Sequence, residues 1–129
     1  MQSFEWISSE TRTGEYITID SLSRLYLSSG AAKLLGITSW PAHVYVGYDK
    51  VNKRIIVGKA GVVRPANVQP YKFDERRYTY AKQFVARIGL TKADLPQRYV
   101  YVGRDHSVGV PAGAMAFQLE GYRAPDDAR

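Results

Sequence analysis

The chain has 129 residues, 45% hydrophobic and 23% charged, and contains no cysteine, which excludes a disulfide framework, a thiolate metal site and a thiol nucleophile. Its 18 Lys and Arg against 12 Asp and Glu leave a net charge of +6, which favours a polyanionic partner, nucleic acid first. The first sixteen residues carry acids and no apolar run, and no stretch approaches the ~18 apolar residues of a membrane span, so a soluble, cytoplasmic protein of one domain is expected.

The chain then reads as follows. Glu15–Ile19 alternates Tyr16 and Thr18 with Ile17 and Ile19, a strand pattern, and Arg24–Leu27 is a second strand. Ser28 and Ser29 offer an N-cap to the short helix "SGAAKLLG", which stops at Gly36, a favoured residue just past a helix end. Ala42–Asp49 is a third strand, "DKVNKR" a hairpin turn, and Arg54–Ala60 a fourth strand. Gly61–Pro70, with two prolines, is a linker. Strands at "PYKF" and "RYTY", a helix at "AKQFVARIG", and strands at "RYVYVGR" and "AMAFQL" follow, and the tail "YRAPDDAR" is expected to fray.

The two stretches are alike. With Gly36 set on Gly89, Arg24 falls on Arg77, Leu27 on Tyr80, Ala31 on Phe84 and Leu35 on Ile88. After a three-residue insertion, Val44–Asp49 falls on Val100–Asp105, differing only at Tyr48 against Arg104. A β-β-α-β-β unit of about fifty residues buries too little apolar surface to stand alone. The expected fold is therefore α+β: a first repeat at 15–60, a linker at 61–70 and a second repeat at 71–120, packed as an intrachain pseudo-dimer around one β-barrel-like core.

The segment "YITIDSLSRLYLSSGAAKLLGI", followed after a gap by "VYVGYDKVNKRIIVGK", resembles the AbrB/MraZ-type swapped-hairpin DNA-binding domain, in tandem. Asp20 and Arg24 match the ends of that family's Asp-x-x-Gly-Arg turn, and "LLGI" matches its helix end. Ser23 stands where the family has glycine, Ser28 where it has proline, and Phe73 falls opposite Asp20 in the second copy. The resemblance implies a small barrel-like core whose arginine-bearing turns face DNA.

Double-stranded DNA binding by a small transcriptional regulator is the expected function. Arg24 and Arg77, at matching places, would meet symmetric parts of a duplex, since arginine donates bidentately to phosphate or guanine. Arg12, Lys72, Arg76, Lys33 and Lys82 complete the expected DNA-binding footprint. Competing structural readings are that Arg24 pairs with Asp20 across the turn, that Lys33 and Lys82 sit on solvated helix faces, and that "DKVNKR" is only a soluble turn. Ten tyrosines offer a rival, stacking on single-stranded nucleic acid, and a second rival is a protein-interaction adaptor or inhibitor using tyrosine and arginine. Self-association through strand edges stays open. His43 and His106 carry no catalytic spacing, and Asp126 and Asp127 lie in the tail, so neither enzyme, metal nor cofactor is expected.

Overall fold

The computed structural model describes residues 3–6, 14–103 and 106–127. Among these described residues, eight strands run β1 (Tyr16–Ile19), β2 (Arg24–Leu27), β3 (Ala42–Asp49), β4 (Arg54–Lys59), β5 (Tyr71–Phe73), β6 (Tyr78–Tyr80), β7 (Gln97–Gly103) and β8 (Met115–Leu119). Helix α1 (Ser29–Leu34) follows β2 and helix α2 (Lys82–Arg87) follows β6. The strands form one antiparallel sheet in the order β5-β3-β4-β8-β7-β1-β2-β6. A turn joins β5 to β6, where the Asp74 N–H donates to the Tyr78 carbonyl at 2.8 Å, so the sheet curls into a nearly closed barrel. The fold is thus mixed α+β with little helix.

Strand alternation decides what enters the barrel. Ile17, Ile19, Leu25, Leu27, Val44, Ile55, Val57, Phe73, Tyr99 and Phe117 are buried inside. Ala31, Ala32 and Leu35 of the first helical segment, and Phe84, Val85 and Ile88 of the second, join the same core. Phe84 meets the edges of Tyr48 and Tyr71 at 6.1 and 6.3 Å between ring centres.

Both helices end as their sequences suggest. Gly36 (φ 72°) donates to Lys33 and Ile37 to Ala32, while Gly89 (φ 82°) donates to Ala86 and Leu90 to Val85. These are paired closing bonds around a left-handed glycine. Their starts differ. The Ser28 hydroxyl accepts from the N–H groups of Ala31 and Tyr16 and donates to the Gly14 carbonyl, whereas Ala81, at the same place in α2, has no capping side chain.

That difference corrects the sequence alignment. Asp20 accepts the N–H groups of Leu22 and Arg24, and Asp74 accepts those of Arg76 and Tyr78. Asp74, not Phe73, therefore stands opposite Asp20, Arg77 matches Ser23, and Tyr78 matches Arg24. The physical reason is the helix start: Ser28 is an added capping residue after Leu27, while Ala81 is both the strand's continuation and the cap. An ungapped reading back from Gly36 and Gly89 runs one residue out of step. The "VYVG" match slips in the same way. Ile17 faces Tyr99 while Tyr71 faces Val44, so Val44 corresponds to Tyr99 rather than Val100. A bulge between Tyr101 and Gly103 restores the step, with Gly47 facing Ile56 and Gly103 facing Ala116.

The described part of the tail, to residue 127, is bonded to the barrel rather than frayed. Ala124 is buried, and Asp126, in a 3-10 turn at Pro125–Asp127, ion-pairs with Arg54, a side chain with no exposed surface. The last residue of the "DKVNKR" cluster is thus not part of a solvated turn.

Candidate nucleic-acid interface

The inward turn of Ile17, Leu25 and Leu27 forces Tyr16, Thr18, Arg24 and Tyr26 outward. Register then sets them side by side. Thr18 faces Arg98 on β7 and Tyr26 on β2, and Tyr26 faces Tyr78 on β6, while Arg24 faces Tyr80. The outer surface of β7-β1-β2-β6 is therefore a sheet of tyrosines and arginines.

Its rings touch in series. Tyr16 and Tyr26 lie 6.3 Å apart between centres, and Tyr26 and Tyr78 lie 4.7 Å apart. Each ring carries a guanidinium: Arg98 over Tyr16 at 4.5 Å, Arg77 over Tyr26 at 5.4 Å and Arg24 over Tyr78 at 4.3 Å. Two of the three arginines are also tied by hydrogen bonds. Arg24 Nε donates to Asp20 at 2.7 Å, and that bond raises its pKa, so the cation is secure. Arg77 Nε donates to the Leu27 carbonyl at 2.9 Å and its Nη2 to the Tyr26 hydroxyl at 2.8 Å. Orienting bonds of this kind remove much of the rotamer freedom that an arginine loses on binding a ligand.

The expected site residues divide accordingly. Arg24 and Arg77 meet on this face through Tyr26 and Tyr78, although they do not occupy equivalent positions. Arg76 is exposed in the adjoining turn, and Lys72 is exposed on β5 opposite His43. Lys33 and Lys82 are exposed on the two helices, and among the described residues no bond ties them to the tyrosine face. Arg12 lies outside the described residues. Arg98 and Tyr16 are absent from the expected set. The available signal was period-two alternation: once Tyr99 is taken as buried, Arg98 must point out.

Chemically, the face offers fixed cations rather than open stacking platforms. The rings of Tyr16, Tyr26 and Tyr78 are already covered by one another and by guanidiniums. Tyr80 alone among these tyrosines is widely exposed, at 77%. A scan against protein-family models, a search of the curated proteins and a search of the solved structures each find no match to this chain.

Proposed function

We propose that the chain binds double-stranded DNA through the tyrosine–arginine face, as a small transcriptional regulator. The observation that carries this reading is the set of three guanidiniums seated over three adjoining rings on one open sheet face. Phosphate contacts supply most of the affinity of such proteins, and arginines held in place suit them. The net charge of +6 points the same way. Covered rings favour a phosphate-directed surface over base stacking, and so duplex over single strand.

We further infer that the chain is two β-β-α-β-β repeats forming an intrachain pseudo-dimer, as the resemblance to the AbrB/MraZ-type domain implies. Exchanging β1–β4 with β5–β8 leaves the cyclic strand order unchanged once β5 and β6 are taken as neighbours. The Leu27 N–H donates to the Arg77 carbonyl, and reciprocally the Ala81 N–H donates to the Ser23 carbonyl. An axis relating the halves would pass through the Leu25–Thr79 pair on one side and the Ile56–Ala116 pair on the other. Ser23 and Arg77, at the family's glycine position, both have positive φ, which supports the same turn in each half.

A second reading is a protein partner, favoured by Tyr80 and by Leu22, exposed at 64% in the neighbouring turn. One titration separates the two. A labelled duplex of about 20 base pairs, its single strand and the matching RNA duplex are compared by fluorescence anisotropy at about 50 mM salt. Micromolar binding that favours the DNA duplex is expected. No binding to any nucleic acid would leave the protein partner, and a preference for single strand would reverse the stacking argument.

A further inference from the structure

On the other side of the barrel, the outer surface of β4 and β8 is covered by two straps. One is the linker after β4, with Val63 packed over Gly58 and Val62 over Gly113. The other is the tail after β8. The first contact is apolar, whereas the second centres on an ion pair. Arg54 Nε donates to Gln118 Oε1 at 2.7 Å, Nη2 donates to Asp126 at 2.6 Å, and Nη1 donates to the other Asp126 oxygen. Asn52 and Ser107 both donate to the neighbouring Asp49 carboxylate, at 2.8 and 2.5 Å.

The two partners differ in exposure. The Arg54 side chain has no exposed surface, while that of Asp126 keeps 34% of its own. The guanidinium is built into the barrel wall on β4. The carboxylate arrives from a short surface turn that is also held by the Asp126 N–H on Asn52, the Tyr122 hydroxyl on the Val51 carbonyl, Lys53 over the Tyr122 ring and the buried Ala124. Asp126 is not the sole partner of Arg54: Nη1 also reaches the Ser107 hydroxyl at 3.4 Å and the Asp49 carboxylate lies within its field, but Asp126 supplies the bidentate carboxylate. A cleft lined by Val51, Ile56 and Val108 opens beside the pair, with Asp49, Ser107 and Asp126 also in its wall.

We propose that Arg54 forms a carboxylate-binding site, filled in cis by Asp126, and that the tail is a clasp replaceable in trans by an acidic peptide. The recognised group is a single carboxylate, gripped end-on by Nη1 and Nη2, with apolar residues preceding it in the manner of Tyr122 and Ala124. This site stands apart from the tyrosine–arginine face and does not depend on it.

The test uses full-length Asp126→Ala, which removes the carboxylate and leaves space for a small one. Its thermal midpoint should fall by on the order of 5 °C. Sodium formate should restore a substantial part of that loss, and sodium chloride at equal ionic strength should not. The free peptide of residues 122–129 should restore it saturably, and the same peptide with Asn for its first Asp should not. If the variant does not fold on purification, refolding yield in formate against chloride gives the same readout. An unchanged midpoint in Asp126→Ala, or equal effects of formate and chloride, overturns the carboxylate site. Rescue by formate with identical behaviour of the two peptides overturns the exchangeable clasp.

Discussion

Ser23 and Arg77 share one backbone state in two turns: φ is 59° and 68°, and each donates its N–H to the carbonyl of an aspartate three residues earlier, at 3.0 and 2.9 Å. A side chain in this left-handed region costs roughly 1 kcal/mol, which glycine avoids. The same substitution should therefore act with opposite sign at the two sites. Ser23→Gly relieves the strain and should gain up to about 1 kcal/mol in urea denaturation. Arg77→Gly relieves it too, but removes the bonds to Leu27 and Tyr26 and the cover over the Tyr26 ring, and should lose about 1–2 kcal/mol. Equal responses would show that the Arg77 side chain contributes nothing to the fold.

Much of this architecture could be read from the chain, and the reason is local chemistry. Alternation of Tyr16 and Thr18 with Ile17 and Ile19 marks a strand, and Gly36 and Gly89 mark both helix ends. Register resisted the same reading. A one-residue step turns a side chain to the other face, and two such steps, at the capping Ser28 and at the Tyr101–Gly103 bulge, show only once the strands are paired. An ungapped match of Arg24 to Arg77 therefore misses the turn bonds, which set Arg24 against Tyr78. Arg54 was hidden for a different reason. Its carboxylate partner lies 72 residues away in a tail whose composition suggests a frayed end, and long-range pairing of this kind leaves no periodic trace.

Under the proposed reading, the stacked arginines should make separable contributions to duplex binding. Arg24→Ala and Arg98→Ala should each reduce the slope of log K against log salt by roughly 0.9, the value for one phosphate contact. Each should lower the thermal midpoint only slightly, because Arg24 makes a partly exposed ion pair with Asp20 and lies over Tyr78, while Arg98 lies over Tyr16, all on the outer face. Lys33→Ala, on a helix away from the rings, should leave the slope unchanged. A slope unaltered by Arg24→Ala and Arg98→Ala, with affinity lowered, would mean that neither residue neutralises phosphate.

Acid should weaken the fold through a small set of carboxylates. The Asp126 carboxyl is held low by its hydrogen bond from Arg54. Burial alone would raise Asp49, but hydrogen bonds from Asn52 and Ser107 outweigh it and bring the group below its ordinary value. The Thr91 backbone N–H, with its hydroxyl, likewise lowers Asp94. In each case the unfolded chain takes up a proton more readily than the folded one. Stability from these groups is therefore full above the unfolded value, about 3.9, and is lost as pH falls through the folded values. The thermal midpoint should be level from about pH 7 to 5 and drop below about pH 4. Asp126→Asn should start from a lower plateau and drop less. A drop of the same size in that variant would place the acid sensitivity on the other carboxylates.

The linker strap can be tested at Gly58, where a Cβ would lie 2.5 Å from Val63 Cγ2 and 2.9 Å from Cγ1. Valine is branched at Cβ and stiff, so it cannot swing aside as a long side chain would. Gly58→Ala should therefore cost about 1–3 kcal/mol by overpacking. Val63→Ala, which empties part of a site only 6% exposed, should cost about 1–2 kcal/mol. In the double variant the new methyl at 58 occupies space that the valine methyls have left. Its cost should fall short of the sum of the single costs by on the order of 1 kcal/mol, read from urea midpoints in a four-variant cycle. Strict additivity would mean that the two side chains do not share that space, and that the strap reaches the barrel wall by other contacts.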